Sequence, residues 1–209
     1  MKSTKHNLFG AVRKCCRIPA FSQCPHVIRN VCFVIAIFHL FLPSGIFAQN
    51  LDAYTIKAIF LERFTRFVEW PPEAAINDKL QPFIIAVIGK NPFGTKLDTI
   101  YSTRKIRDKK VKIIYICNVN ELVGCHLLFV SESEKNEFYK IISLTRDKPI
   151  LTIGDAKGFA ENGGLMNFYT LDNLIRFEVN EKAIRESGLS MSYLLLKAAR
   201  IVKPGEVSQ

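Results

Sequence analysis

From Asp52 to Val68 the apolar residues Ala53, Ile56, Phe60, Phe64 and Phe67 recur three and four positions apart, with Ile59, Leu61 and Val68 widening the stripe. That period predicts an amphipathic helix with the stripe turned to the core. Glu62, Arg66 and Glu69 fall on its other side at spacings of four and three, which suits helical ion pairs of a few tenths of a kcal/mol each. Trp70-Pro71-Pro72 ends the pattern.

The period then changes. Pro82 to Ile88 is a near-continuous apolar run closed by Gly89, the mark of a strand buried on both faces, and Pro92 is placed to open a helix reaching Tyr101. Val111–Ile116, Leu127–Val130 and Pro149–Ile153 repeat the strand signal, separated by a short helix at Val119–Val123 and a longer one at Ser133–Leu144. Past the Gly-rich stretch Gly158–Gly164, two alternating runs, Leu165–Thr170 and Leu174–Val179, flank the polar tip Leu171-Asp172-Asn173 and predict an antiparallel hairpin. Asn180 and Ser190 are the expected N-caps of two terminal helices, the second burying Met191, Leu194, Leu195, Ala198 and Val202 before Pro204-Gly205. The fold class is α/β: a three-layer sandwich with a mixed, mostly parallel sheet closed by a C-terminal antiparallel hairpin.

Everything ahead of residue 49 reads differently. Six Lys or Arg and no acid precede the apolar run Val31–Leu42, the breaker Pro43-Ser44-Gly45 and the small-residue junction Phe47-Ala48-Gln49. This is the layout of a cleaved signal peptide over residues 1–48, with cleavage between Ala48 and Gln49. The apolar run, about 12 residues, falls short of the ~20 that span a bilayer. The expected mature protein is one domain, residues 49–209, in the periplasm.

Charge and cysteine content change meaning once the leader is set aside. The 29 basic and 19 acidic residues become 23 and 19, so most of the net charge belongs to the leader and no nucleic-acid footprint remains. Cys117 and Cys125 are then the only thiols, even in number and in an oxidising compartment, which favours a disulfide between them. Against the bond, Cys117 ends one strand and Cys125 begins the next parallel one, an arrangement that would hold the sulfurs at opposite ends.

The residue chemistry does not point to catalysis. His126, the one histidine beyond the leader, neighbours Cys125 on a strand, where adjacent side chains face opposite ways and do not readily share a metal. Asp155 and Glu161 flank glycines, where carboxylates more often shape turns than act as an acid/base pair. The Gly89–Gly94 turn has the place of a phosphate-binding loop but neither glycine-rich nor Gly-Lys-Ser/Thr core. The reading has no catalytic residue, cofactor or metal.

The words of the sequence resemble a known family. Tyr54-x-x-Lys57-Ala58-x-Phe60-Leu61 leading to Glu69-Trp70-Pro71, then Ile88-Gly89-x-Asn91-Pro92-Phe93-Gly94, Gly124-Cys125-His126 and Pro149-Ile150-Leu151-Thr152-x-x-Asp155-x-x-Gly158-Phe159-Ala160 follow the order of the YfiR-like periplasmic proteins. So do Gly163-Gly164, Asn167, Arg176-Phe177-Glu178-x-Asn180 and Gly188-Leu189-Ser190. The resemblance implies a soluble, dimer-forming repressor that binds an inner-membrane diguanylate cyclase or sensor kinase and is itself sequestered by an outer-membrane lipoprotein. Biofilm and surface attachment would lie downstream. Phe159 on the Gly-rich loop and Trp70 at the helix end are the expected partner contacts, with packing in the core as the other reading of each. A periplasmic small-ligand sensor using the sheet mouth near Gly89–Gly94 and Asp155–Gly164, and a secreted enzyme, are the alternatives.

Overall fold

The computed structural model describes residues 52–203 except 75, 79 and 123. The leader, the Ala48–Gln49 junction and Pro204-Gly205 lie outside the described residues.

The first helix, α1 (Ala53–Thr65), packs on a seven-stranded sheet ordered β3-β2-β4-β5-β6-β7-β9. Its strands are β2 (Phe83–Ile88), β3 (Val111–Ile116), β4 (Leu127–Val130), β5 (Leu151–Gly154), β6 (Met166–Leu171), β7 (Leu174–Val179) and β9 (Arg200–Ile201). Every neighbouring pair is parallel except the β6–β7 hairpin, where Leu171 pairs with Leu174 across Asp172 and Asn173, both at positive φ. That is the backbone of a tight two-residue turn, and Asp and Asn tolerate it well. The expected sheet is present, with β9 added parallel beyond the hairpin.

Strand alternation divides the interior in two. Phe83, Ile85 and Val87 of β2 and Leu127 and Phe129 of β4 join a core under α1, while Ala86, Ile88, Leu128 and Val130 face a second core. The second is covered by Phe138, Ile141 and Ile142 of α3 (Phe138–Thr145). With α2 (Lys96–Tyr101) and α4 (Glu181–Glu186) contributing Leu97, Tyr101, Ala183 and Ile184 to the first core, the layers are helix, sheet, helix.

Several local expectations are corrected. Helix α1 stops at Thr65 because Val68 and Glu69 leave it as β1, pairing antiparallel with Met191 and Ser190 of β8. Its buried face keeps part of the expected stripe, with Leu61, Phe64 and Val68 buried and Phe60 packed on the core, but Ala53 is exposed and Phe67 is open to solvent, whereas Lys57, Ala58, Glu62 and Thr65 are buried. The stripe was too wide to fix the rotation, and the buried polar groups carry their own partners, Lys57 on Asp155 and Arg66 Nε donating to Glu62 at 2.7 Å. Ser190 belongs to β8, so Ser192 caps α5 (Tyr193–Ala198) instead, and Leu194 points to solvent. Finally, Glu132–Glu137 is a 3-10 helix ahead of α3, and α2 begins only at Lys96 because Asn91 ties the Pro92–Gly94 turn, accepting from Phe93 N and donating to Gly94 O at 2.9 Å.

Candidate functional site

In open parallel sheets the crevice at the carboxyl ends of the strands is the usual ligand site. Here the loops after β2 and β4 meet across it. Lys90 N donates to Ser133 Oγ at 2.9 Å, and Ser131 Oγ donates to Lys90 O at 2.7 Å. A Cβ on Gly89, at φ +86, would stand 2.4 Å from Ser133 Oγ and 2.5 Å from Glu134 Oε1. The glycine at position 89 therefore permits loop-to-loop packing, with the Ser133 and Glu134 side chains filling the space beside it.

The Gly-rich stretch after β5 is equally occupied, by its own aromatic. Phe159 is 0% exposed and meets Phe138 edge-on at 4.9 Å. Its ring fills the space where Gly154 and Gly164 would carry side chains, at 2.6 and 2.3 Å from the ideal Cβ positions. Phe159 is thus a core plug, which corrects its assignment as an exposed partner contact. Trp70 is corrected in the same way: it is 8% exposed, edge-on to Phe83 at 6.0 Å. The Arg107 guanidinium sits 5.2 Å from its ring centroid, while Arg107 Nε donates to Thr65 O at 3.2 Å and Nη2 donates to Val68 O. That one side chain closes the C-terminal end of α1 over Trp70.

The disulfide is corrected as well, since both thiols are free. Cys117 follows Ile116, which pairs with Ile88 at one end of β2, whereas Cys125 precedes the register Ile85–Leu127 on the other side of β2. The sulfurs sit at opposite ends of strands that are not neighbours, too far apart to bond. Cys117 is exposed; burial pushes the Cys125 thiol up to about 12.

His126 is a structural residue whose Nδ1 accepts from Ile84 N at 3.0 Å while its ring stacks on Phe83 at 4.9 Å. Burial, helped by the nearby Lys109 ammonium, lowers its pKa from 6.5 to about 4. Above about pH 6.5 it is neutral folded or unfolded. As pH falls from there toward 4, the unfolded chain takes up a proton that the folded chain refuses, and stability drops by up to about 3 kcal/mol. Melting scans across that window should show the drop, and His126→Gln should flatten it; identical profiles would contradict the assignment.

What the fold does assemble is a polar constellation at the outer end of β5. Tyr54 and Lys57, one turn apart on α1, both donate to Asp155 Oδ2, from Oη at 2.8 Å and Nζ at 3.1 Å. The Asp155 side chain is 1% exposed and that of Lys57 11%. Burial and the adjacent Asp155 hold the Tyr54 phenol well above its ordinary pKa, so it acts as a donor. Alongside, the strand register lines up Gly154, Asn167, Glu178 and Arg200 on β5, β6, β7 and β9. Asn167 Nδ2 donates to Glu178 Oε1 at 3.0 Å, and Arg200 Nε to Glu178 Oε2 at 3.0 Å. Asp155 and Glu161, set beside each other as a catalytic pair in the enzyme reading, do line one cavity, but Lys57 and Tyr54 hold the first in a fixed ion pair. The cluster draws on both ends of the chain. Its sequence signal was the Tyr54-x-x-Lys57 spacing, which puts two donors on one helical face.

Among the described residues, no helix is long and apolar enough to cross a membrane. Residues 54–200 match the family described as YfiR/HmsC-like, a span taking in α1, the whole sheet and the polar constellation. The chain belongs to the YfiR/HmsC-like family. Membership supports a periplasmic, regulatory kind of role. No curated protein matches the chain. Among solved structures, an ABC domain from Streptococcus pneumonia, crystallised in complex with L-Trp, is similar at 12% identity and a TM-score of 0.42, covering 57% of this chain and 55% of that one. This chain spans little more than half of that protein, and a likeness of this degree carries no functional argument.

Proposed function

We propose that this YfiR/HmsC-like protein is an exported, non-catalytic regulator that binds and represses the periplasmic part of an inner-membrane signalling protein, a diguanylate cyclase or a sensor kinase. Family membership across the whole folded domain carries the reading. The basic leader, the apolar run and the Phe47-Ala48-Gln49 junction support export. A homodimer as the working form, and release through an outer-membrane lipoprotein, belong to the same proposal.

With Phe159 and Trp70 in the core, the contact moves to the surface beside the β1–β8 ladder. Tyr193 and Leu194 open α5 and are 74% and 67% exposed, and Ser192 N donates to Phe67 O at 2.8 Å, which brings Phe67 alongside. Exposed apolar and aromatic side chains at one place are the usual anchors of a protein contact. Leu194→Asp should leave folding intact and weaken capture of the membrane partner by at least about tenfold. Unchanged capture by a folded Leu194→Asp, Tyr193→Ala protein would remove this surface from the contact.

A further inference from the structure

Beyond the leader, the positive charge of the chain is gathered in one place. Of its 23 basic and 19 acidic residues, six basic ones and a single acid, Asp108, lie between Arg104 and Lys112, which leaves the rest close to neutral. Helix cations such as Arg66, Lys140, Lys182 and Arg185 pair with an acid three or four positions away. Arg104, Lys105, Lys110 and Lys112 are exposed, and among the described residues no acid pairs with any of the four.

The backbone that carries these four is fixed. Ile106 and Lys109 form an antiparallel bridge around Arg107 and Asp108, both at positive φ, in a tight turn. Ile106 is buried, Lys109 Nζ donates to Ile76 O at 3.2 Å, and Arg107 donates to the carbonyls of Thr65 and Val68. Lys105 and Lys110 flank the bridge on its two arms, and Lys110 and Lys112, two apart on an extended chain, share a side. Like charges held together in this way repel one another, a cost that an anionic surface would relieve. A charge guard on the edge strand β3 accounts for Lys112 and its neighbour Lys110, but not for Arg104 and Lys105, which stand outside the strand.

What adjoins the hairpin points to the occupant. The two carbonyls that Arg107 holds lie on either side of Phe67, so the basic turn stands beside a ring open to solvent. Free cations next to an exposed aromatic suit a lipid interface, where the ring meets the acyl boundary and the cations meet phosphates. Three of the four cations are lysines, point charges that match a charged plane, whereas a shaped carboxylate partner is better met by arginine forks. We propose that the hairpin of residues 104–112 docks the protein on a bilayer rich in anionic phospholipid. The inference rests on the reading above for the bilayer, the one in which the signalling protein sits, and it places that surface at the rim of the protein contact. A lipid contact, weak by itself, raises the local concentration of the regulator at its partner.

The test is made without the partner. Protein in the form the cell leaves in the periplasm is sedimented with vesicles of phosphatidylglycerol and phosphatidylethanolamine, and separately with vesicles of phosphatidylcholine. It should bind the first and not the second, and salt at about 1 M, where the screening length is ~3 Å, should release it. Each cation near an anionic surface is worth about fivefold in partitioning, so Lys105→Gln with Lys112→Gln should weaken binding roughly 25-fold. Lys135→Gln with Lys157→Gln removes the same charge beyond the carboxyl ends of β4 and β5, away from the hairpin, and should leave binding within about twofold. Absence of binding to the anionic vesicles, equal binding to phosphatidylcholine, or an equal fall in the two double variants would overturn the inference. A hairpin variant that binds vesicles like the native protein but loses partner capture would overturn it in favour of an acidic protein face. Should a variant fail to fold, the lipid and salt dependence of the native protein decides. Vesicle binding that follows this pattern, with no membrane partner captured in cells, would uphold the inference and count against the regulatory reading alone.

Discussion

Phe159→Ala is expected to cost about 3–5 kcal/mol of stability, which for a domain of this size lowers the melting temperature by roughly 6–20 °C. The ring is completely buried against Phe138, and Gly154 and Gly164 flank it so closely that neither could carry a Cβ without displacing it. Truncation therefore opens a cavity whose walls are strand and loop backbone, and such walls collapse poorly. The reciprocal change, Gly164→Ala, forces the ring aside and should cost about 1–3 kcal/mol in the native background. It should cost clearly less beside Phe159→Ala, because the clash has gone. A Phe159→Ala protein that melts like the native one but no longer captures its partner would restore Phe159 as a surface anchor. Additive losses in the double variant would break the assigned link between ring and glycine.

Lys57→Met is the second large effect. It leaves the Asp155 carboxylate buried with Tyr54 as its remaining donor on Oδ2 and Oδ1 already unsatisfied, a loss of about 3–5 kcal/mol. Most of that cost is a buried charge without a counter-charge, so the double change Lys57→Met, Asp155→Asn should recover a good part of it. Urea unfolding of the four proteins in the cycle measures the coupling. Equal and additive losses would mean that the pair does not anchor α1 to the end of β5.

The sheet was legible because its code is local. Apolar runs bounded by glycine marked β2, β4 and β5, and the alternating pair around Asp172-Asn173 marked the hairpin. Places where distant segments meet were not legible. The side of α1 that is buried depends on Asp155, about a hundred residues away, and the N-cap shifted from Ser190 to Ser192 because Ser190 pairs with Glu69. Phe159 was misplaced for a related reason. Glycines around an aromatic read equally as a loop displaying the ring or as space made for it, and only the Cβ distances separate the two. Cys117 and Cys125, near neighbours in sequence, are kept apart by β2, a strand that precedes them both. The constellation of Tyr54, Lys57, Asp155, Asn167, Glu178 and Arg200 was present word by word in the family-like motifs, yet its assembly needed the β5-β6-β7-β9 register.

The central claim is regulation of a membrane signalling protein, and crosslinking in intact cells tests it most directly. Tagged native protein, crosslinked in the periplasm and purified through the tag, should carry the periplasmic part of one inner-membrane cyclase or kinase. Deleting the gene should raise that protein's output, read as cellular cyclic-di-GMP or kinase phosphorylation. Recovery of no signalling protein, together with unchanged output on deletion, would contradict the account.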